Sequence, residues 1–136
     1  MKKVVVIDGQ GGKLGKLLIE EILLLGKENI GIYAVGTNAL ATSLMLKAGA
    51  DYGATGENAV IVNAKDADII TGPIGIIAAN SLLGELTPKM AEAVGASGAL
   101  KVLLPISKCN NRVVGVRDLS LLEFAKLAAK QIITGD

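Results

Sequence analysis

Directly after the apolar run Val4 to Ile7 and Asp8, the chain reads Gly9-Gln10-Gly11-Gly12-Lys13-Leu14-Gly15, four glycines within seven residues. A leucine-spaced segment opens behind them. Glycine lets backbone N–H groups approach an anion with no Cβ in the way. A helix starting there adds free N–H groups and the positive end of its dipole. A second glycine turn, Gly72-Pro73-Ile74-Gly75, follows another aliphatic run. Both patterns suit the holding of a phosphate. The first is G-x-G-x-x-x-G, with Gly15 one residue later than in the dinucleotide fingerprint. The Walker pattern is absent, since neither Gly-Lys-Ser nor Gly-Lys-Thr occurs. Tight strand-to-helix turns also need glycine, so a purely structural role is the competing reading.

Other residues extend or limit this chemistry. Asp8 at the mouth of the turn repels an anion unless it is turned away or paired. An Asx-type turn, with loop N–H groups donating to Asp8, is favoured over Asp8 holding a cation or a ligand hydroxyl. A NAD-type site would place an acid about 20 residues beyond the glycines for the ribose hydroxyls. The chain instead reads Gly36-Thr37-Asn38, with no acid for NAD and no arginine for a 2′-phosphate. Thr37 and Asn38 are candidates to bond ribose or phosphate, and capping of the next helix explains Asn38 equally well. Glu57 and Glu85 are general-base or cation-ligand candidates, with helix capping as the plainer role. Cys109 stands beside Lys108 and near Arg112, which would lower its pKa if exposed. There is no histidine to activate it, and the commonest general base and metal ligand is thereby missing. No metal constellation is expected.

The composition sets the frame. With 136 residues, 51% of them hydrophobic and only 2% aromatic, aliphatic side chains must fill the core. Mean hydropathy is +0.51. This suits one domain over 1–136 with a parallel sheet covered on both faces, and leaves room for an apolar patch and a homo-oligomer. The net charge of +1 comes without a basic stripe, which argues against nucleic acid. A single cysteine excludes an internal disulfide and suits a reducing cytoplasm. The uncharged stretches Asn29–Leu46 and Ile69–Gly84 are broken by Gly, Asn, Thr or Pro, so neither is read as a membrane span. The apolar run after Lys3 is too short for a secretory signal.

The elements that must position the glycines follow from periodicity. Strands are predicted at Lys3–Ile7, Asn29–Val35, Ala50–Tyr52, Ala67–Thr71 and Leu100–Ile106, and Val113–Val116 offers a short sixth. Leu14, Leu17, Leu18, Ile22 and Leu25 form one face of a helix that stops at Gly26. Asn38 caps a helix ending near Gly49, and Thr55 caps one to about Lys65. A short helix spans about Ile76 to Leu83. Thr87-Pro88 starts a helix to about Val94, and Ser120 with Glu123 forms a capping box for the last, to about Ile133. This alternation predicts an α/β fold: a Rossmann-like, doubly wound, mainly parallel sheet in order 3-2-1-4-5, with helices on each face. Both glycine turns then meet at the switch point between strands one and four, where ligands bind.

"VIDGQGG", "GTNALATSLMLKAGA", "GATGENA", "GPIGIIAANSLLGELTPKMAEA" and "LPISKCN" together resemble a family of short bacterial proteins known only as a domain of unknown function. The resemblance covers roughly Val4 to Val116. It implies a stand-alone cytoplasmic protein with a Rossmann-like glycine turn, and it carries over no activity. Three readings follow. The first is a module binding a nucleotide, NAD(P) among the options, or another phosphate-bearing small molecule. The second is a nicotinamide-dependent oxidoreductase or nucleotide-processing enzyme, with Asp8, Glu57 or Glu85 as acid–base and its site completed at an oligomer interface. The third is a structural or interaction subunit without ligand.

Overall fold

The computed structural model describes residues 1–106 and 110–135. Five strands, β1 (Lys2–Asp8), β2 (Ile30–Gly36), β3 (Tyr52–Thr55), β4 (Ile69–Pro73) and β5 (Leu100–Leu104), alternate with helices. The helices are α1 (Lys13–Leu25), α2 (Ala39–Ala48), α3 (Glu57–Ala64), α4 (Pro88–Ala96) and α5 (Leu121–Thr134). The sheet order is β3-β2-β1-β4-β5, and every pairing is parallel. This is the α/β Rossmann-like architecture expected from the alternation of periods.

β1 lies at the centre because its aliphatic run must be buried on both faces. Val4 and Val6 join α1, α2 and α5 in one core, while Val5 and Ile7 join α3 and α4 in the other. Successive strand side chains point to opposite faces, so one run of four aliphatics feeds both layers. β1 pairs with β2 from Lys2↔Ile30 to Asp8↔Gly36, which brings the ends of these two strands level. The chain's two tyrosines, Tyr33 and Tyr52, stack across β2 and β3 with ring centroids 4.7 Å apart.

Local signals fix the helix ends. The Asn38 side chain accepts from the Ala41 N–H, Thr87 accepts from Met90, and Ser120 and Glu123 form the capping box. Gly49 closes α2 in the left-handed region, where glycine has no Cβ penalty.

Five expectations are corrected. β3 lies at Tyr52–Thr55 rather than Ala50–Tyr52, because Gly36 and Thr55 must pair at the sheet edge. Thr55 is therefore in the strand, and Gly56 stands at the N-cap of α3. The helix expected at Ile76–Leu83 is replaced by two 3₁₀ turns, Ile74–Ile77 and Leu82–Gly84. Between and within them Asn80, Leu82 and Leu83 have positive φ, which no α-helix accommodates. Val113–Val116 is not a strand. Gly115 turns into the left-handed region there and Val114 is almost fully exposed. In α1, Ile19 rather than Leu25 completes the buried face, and Leu25 is exposed.

Ile22 is fully buried between α1 and the sheet. Ile22→Ala is expected to cost about 3 kcal/mol through lost burial and a residual cavity, read from the midpoint of urea denaturation.

Candidate functional site

The first glycine turn is built on Asp8. β1 ends at this residue, whose side chain is only 5% exposed. Its Oδ1 accepts the Gly9 N–H at 2.8 Å and its Oδ2 accepts the Gly15 N–H at 2.7 Å. One carboxylate therefore joins the first residue of the turn to the first turn of α1. Burial pushes the Asp8 carboxyl above its ordinary value; the Gly15 and Gly9 N–H groups oppose this, and the nearby Glu85 charge adds to it. The turn itself is closed by the Gly12 N–H, which donates to the Gly9 carbonyl at 2.9 Å.

Three of the four glycines have packing reasons. A Cβ on Gly9 would lie 2.4 Å from Thr37 Oγ1. Gly12 has φ +76°, and its Cβ would meet the Ala41 Cα at 2.8 Å. A Cβ on Gly15 would meet Met45 Sδ and the Asp8 Cβ. Gly11 differs. It is exposed, has no positive φ, and its Cβ would meet nothing within 4 Å.

Glu85 closes the site from the segment after β4. Its Oε1 accepts the Gln10 N–H at 2.9 Å, the Thr37 hydroxyl at 2.6 Å and the Asn38 Nδ2 amide at 2.8 Å. Asn38 Nδ2 also donates to the Gln10 carbonyl at 2.9 Å. The loops after β1 and β2 and the segment after β4 thus meet on one oxygen. Partial burial works against ionisation of Glu85. The Thr37 hydroxyl, the Gln10 N–H and the Asn38 amide outweigh it and hold the carboxyl below the ordinary value near 4.5. Gly36, beside this junction, leaves room for Thr42, whose hydroxyl lies 2.7 Å from that of Thr55.

The chain matches, over residues 3–134, the model of a family described as "Domain of unknown function (DUF3842)". It belongs to that family. A search among curated proteins returned no match.

The other sequence-predicted residues are placed as follows in this family member. Lys13 is exposed and Lys16 half-buried, and among the described residues neither forms an ion pair. In the second glycine turn, Gly72 brings its Cα against the β1 backbone, where a Cβ would lie 2.2 Å from the Ile7 carbonyl oxygen. Pro73 ends β4, Ile74 opens the 3₁₀ turn, and the Gly75 carbonyl accepts from Ser81 Oγ and the Ala78 N–H. Glu57 is tied elsewhere: its Oε2 accepts the Thr87 hydroxyl at 2.6 Å, linking the starts of α3 and α4. Cys109 and Lys108 lie outside the described residues. Among the described residues no group of three His, Cys, Asp or Glu is arranged to hold a metal ion, and no helix is long and apolar enough to cross a membrane.

One residue and one pairing had no sequence signal. Leu82, whose Cδ1 sits 3.0 Å from the Cβ position of Gly9, covers the turn from an irregular segment. Glu85 reaches the end of β2 across 47 residues, a pairing no local spacing announces. A groove of about 510 Å³ between α3 and α4 is lined by Ile61, Ala64, Ala93 and Ala96 with Lys65, Lys89 and Glu92, and by none of the turn residues. The convergent polar chemistry is at the glycine turn.

The pH dependence of this junction has a definite sign. Because its folded-state value is lowered, Glu85 contributes stability that is present above about 4.5 and lost as pH falls through that lower value. Glu85→Gln is expected to cost about 1 kcal/mol near neutral pH, allowing for solvent screening of a partly exposed group. Relief of Asp8 from the Glu85 charge trims the gap. Denaturant titrations of both proteins should show it closing in acid. A gap that stayed constant with pH would contradict the assignment.

Proposed function

We propose that this chain is a binding module for a phosphate-bearing small molecule of the nucleotide class, held at the carboxyl edge of the sheet. One observation carries the reading. Among the described residues, the N–H groups of Gly11, Lys13 and Leu14 have no acceptor, while their neighbours Gly9, Gln10 and Gly15 are fixed by Asp8 and Glu85. A rigid turn with its remaining donors unspent, opening a helix, is the arrangement that receives an anion. Gly11 supports the same conclusion, since its missing side chain answers no need of the fold.

Glu85 narrows the ligand. Its Oε1 is saturated by three donors, whereas Oε2 has none among the described residues. A carboxylate held in this way accepts a hydroxyl, as the acid after the second strand does for ribose in dinucleotide sites. The chain lacks that acid at Thr37-Asn38 and supplies one there from the segment after β4. A phosphate next to an unmodified ribose suits both the free amides and Glu85, and a 2′-phosphate meets a fixed negative charge. Two carboxylates near an anion site cost affinity, which the α1 dipole and Lys13 oppose. The enzyme reading is less favoured, because Asp8 and Glu85 at the turn are occupied by the protein's own donors and Glu57 is tied to Thr87 away from them.

A thermal-shift screen of NAD, NADP, ATP, GTP, coenzyme A and sugar phosphates tests the reading. A true ligand at a hundredfold excess over its Kd stabilises by about 2.7 kcal/mol. Ligands with a free ribose should outperform their 2′-phosphorylated counterparts. Gly11→Ala should leave stability of the free protein within about 0.5 kcal/mol and weaken ligand binding. No shift with any compound at millimolar concentration overturns the proposal.

A further inference from the structure

The outer surface of α1 carries Leu17, Glu20, Glu21 and Leu24 at helical spacing. They line a groove of about 430 Å³ that also touches Ala48 at the end of α2 and Leu122 at the start of α5. Leu24 is 79% exposed and Leu122 43% exposed, and Leu25, Leu46 and Leu127 are exposed on helices of the same layer. That is more bare leucine than a solvated helix layer needs.

The charges around this groove are unspent. Glu21 is only 7% exposed, yet among the described residues it has neither a hydrogen bond nor an ion pair. No fully sealed side-chain oxygen lacks a partner, so the Glu21 carboxylate is reached from the groove. A carboxylate opening into a largely apolar groove is placed to meet a cation. Lys16 and Lys13 stand about one and two turns earlier on the same side of the helix and also lack ion pairs among the described residues. The helix therefore has a basic first half, an acidic second half, and leucines between and beyond.

We infer that this face is the interface of a two-fold homodimer in which α1 packs antiparallel on α1 of a second copy. A two-fold axis near Leu18–Ile19 sets Lys16 of each protomer beside Glu20 and Glu21 of the other, twice over. Leu17, Leu24 and Leu122 close around these pairs. Self-complementarity of one patch is what an isologous contact requires. A small organic amine would satisfy Glu21 but leave Leu24 wet and Lys16 unmatched, so a second copy is the better occupant.

Sedimentation velocity of the full chain across the micromolar range tests this. The unaltered protein should run as a dimer. Leu24→Glu, at an exposed position that the fold does not need, should raise the dimer Kd at least about tenfold with an unchanged circular dichroism spectrum. Lys16→Glu should weaken the dimer similarly, and adding Glu20→Lys to the same chain should restore it, because the swapped charges again face each other. A monomer throughout that range overturns the inference. So does a dimer indifferent to Leu24→Glu, or one that the charge swap fails to rescue.

Discussion

A carboxylate taken out of water at the end of the central strand governs the architecture around it. Leaving Asp8 uncompensated would cost several kcal/mol, so the chain must bring donors to it. Both oxygens receive backbone N–H groups, from Gly9 and Gly15, and the intervening residues have little freedom left. Close approach of α1 to β1 follows directly. Gly15 has no side chain because Asp8 and Met45 occupy that space. Gly12 adopts a left-handed conformation because the chain must turn into the helix against Ala41. The desolvation of one side chain thus explains a glycine spacing that departs from the commoner fingerprint.

A second carboxylate extends this order sideways. Glu85 Oε1 draws on a backbone N–H after β1 and on two side chains after β2, so three crossover connections are held in mutual register. Parallel sheets leave such connections at the same edge, and these side-chain bonds add to the Thr37 N–H bond to the Asp8 carbonyl in fixing them relative to one another. The segment that delivers Glu85 has little regular structure, with Asn80, Leu82 and Leu83 at positive φ. Its course is set by what it must reach: Ser81 bonds the Gly75 carbonyl, and Leu82 is buried over Gly9.

The fold was largely legible because its signals are local. Aliphatic runs at Val4–Ile7 and Ile69–Ile70, caps at Asn38, Thr87 and Ser120, and the glycines at 26 and 49 each act within one turn of chain. The Asx-type role of Asp8 was legible for the same reason, since it bonds within seven residues. What escaped was set at longer range. The position of β3 depends on pairing with Gly36, and the breakdown of the helix after Ile76 depends on the demand that Glu85 meet Thr37 and Asn38. Val113–Val116 read as a strand on propensity alone, but Gly115 takes the left-handed conformation there and Val114 stays exposed. Glu85 was recognisable as a polar residue near a helix start. Its partners, 47 to 75 residues away, were not.

The openness around Gly11 has a consequence for how this family can vary. Drift at Gly9, Gly12 or Gly15 collides with a neighbouring atom, so folding alone is enough to hold those positions still. Gly11 has no such guardian, and thermodynamic selection is blind to most small replacements there. Whatever pattern of residues the relatives show at that one place is therefore not dictated by packing.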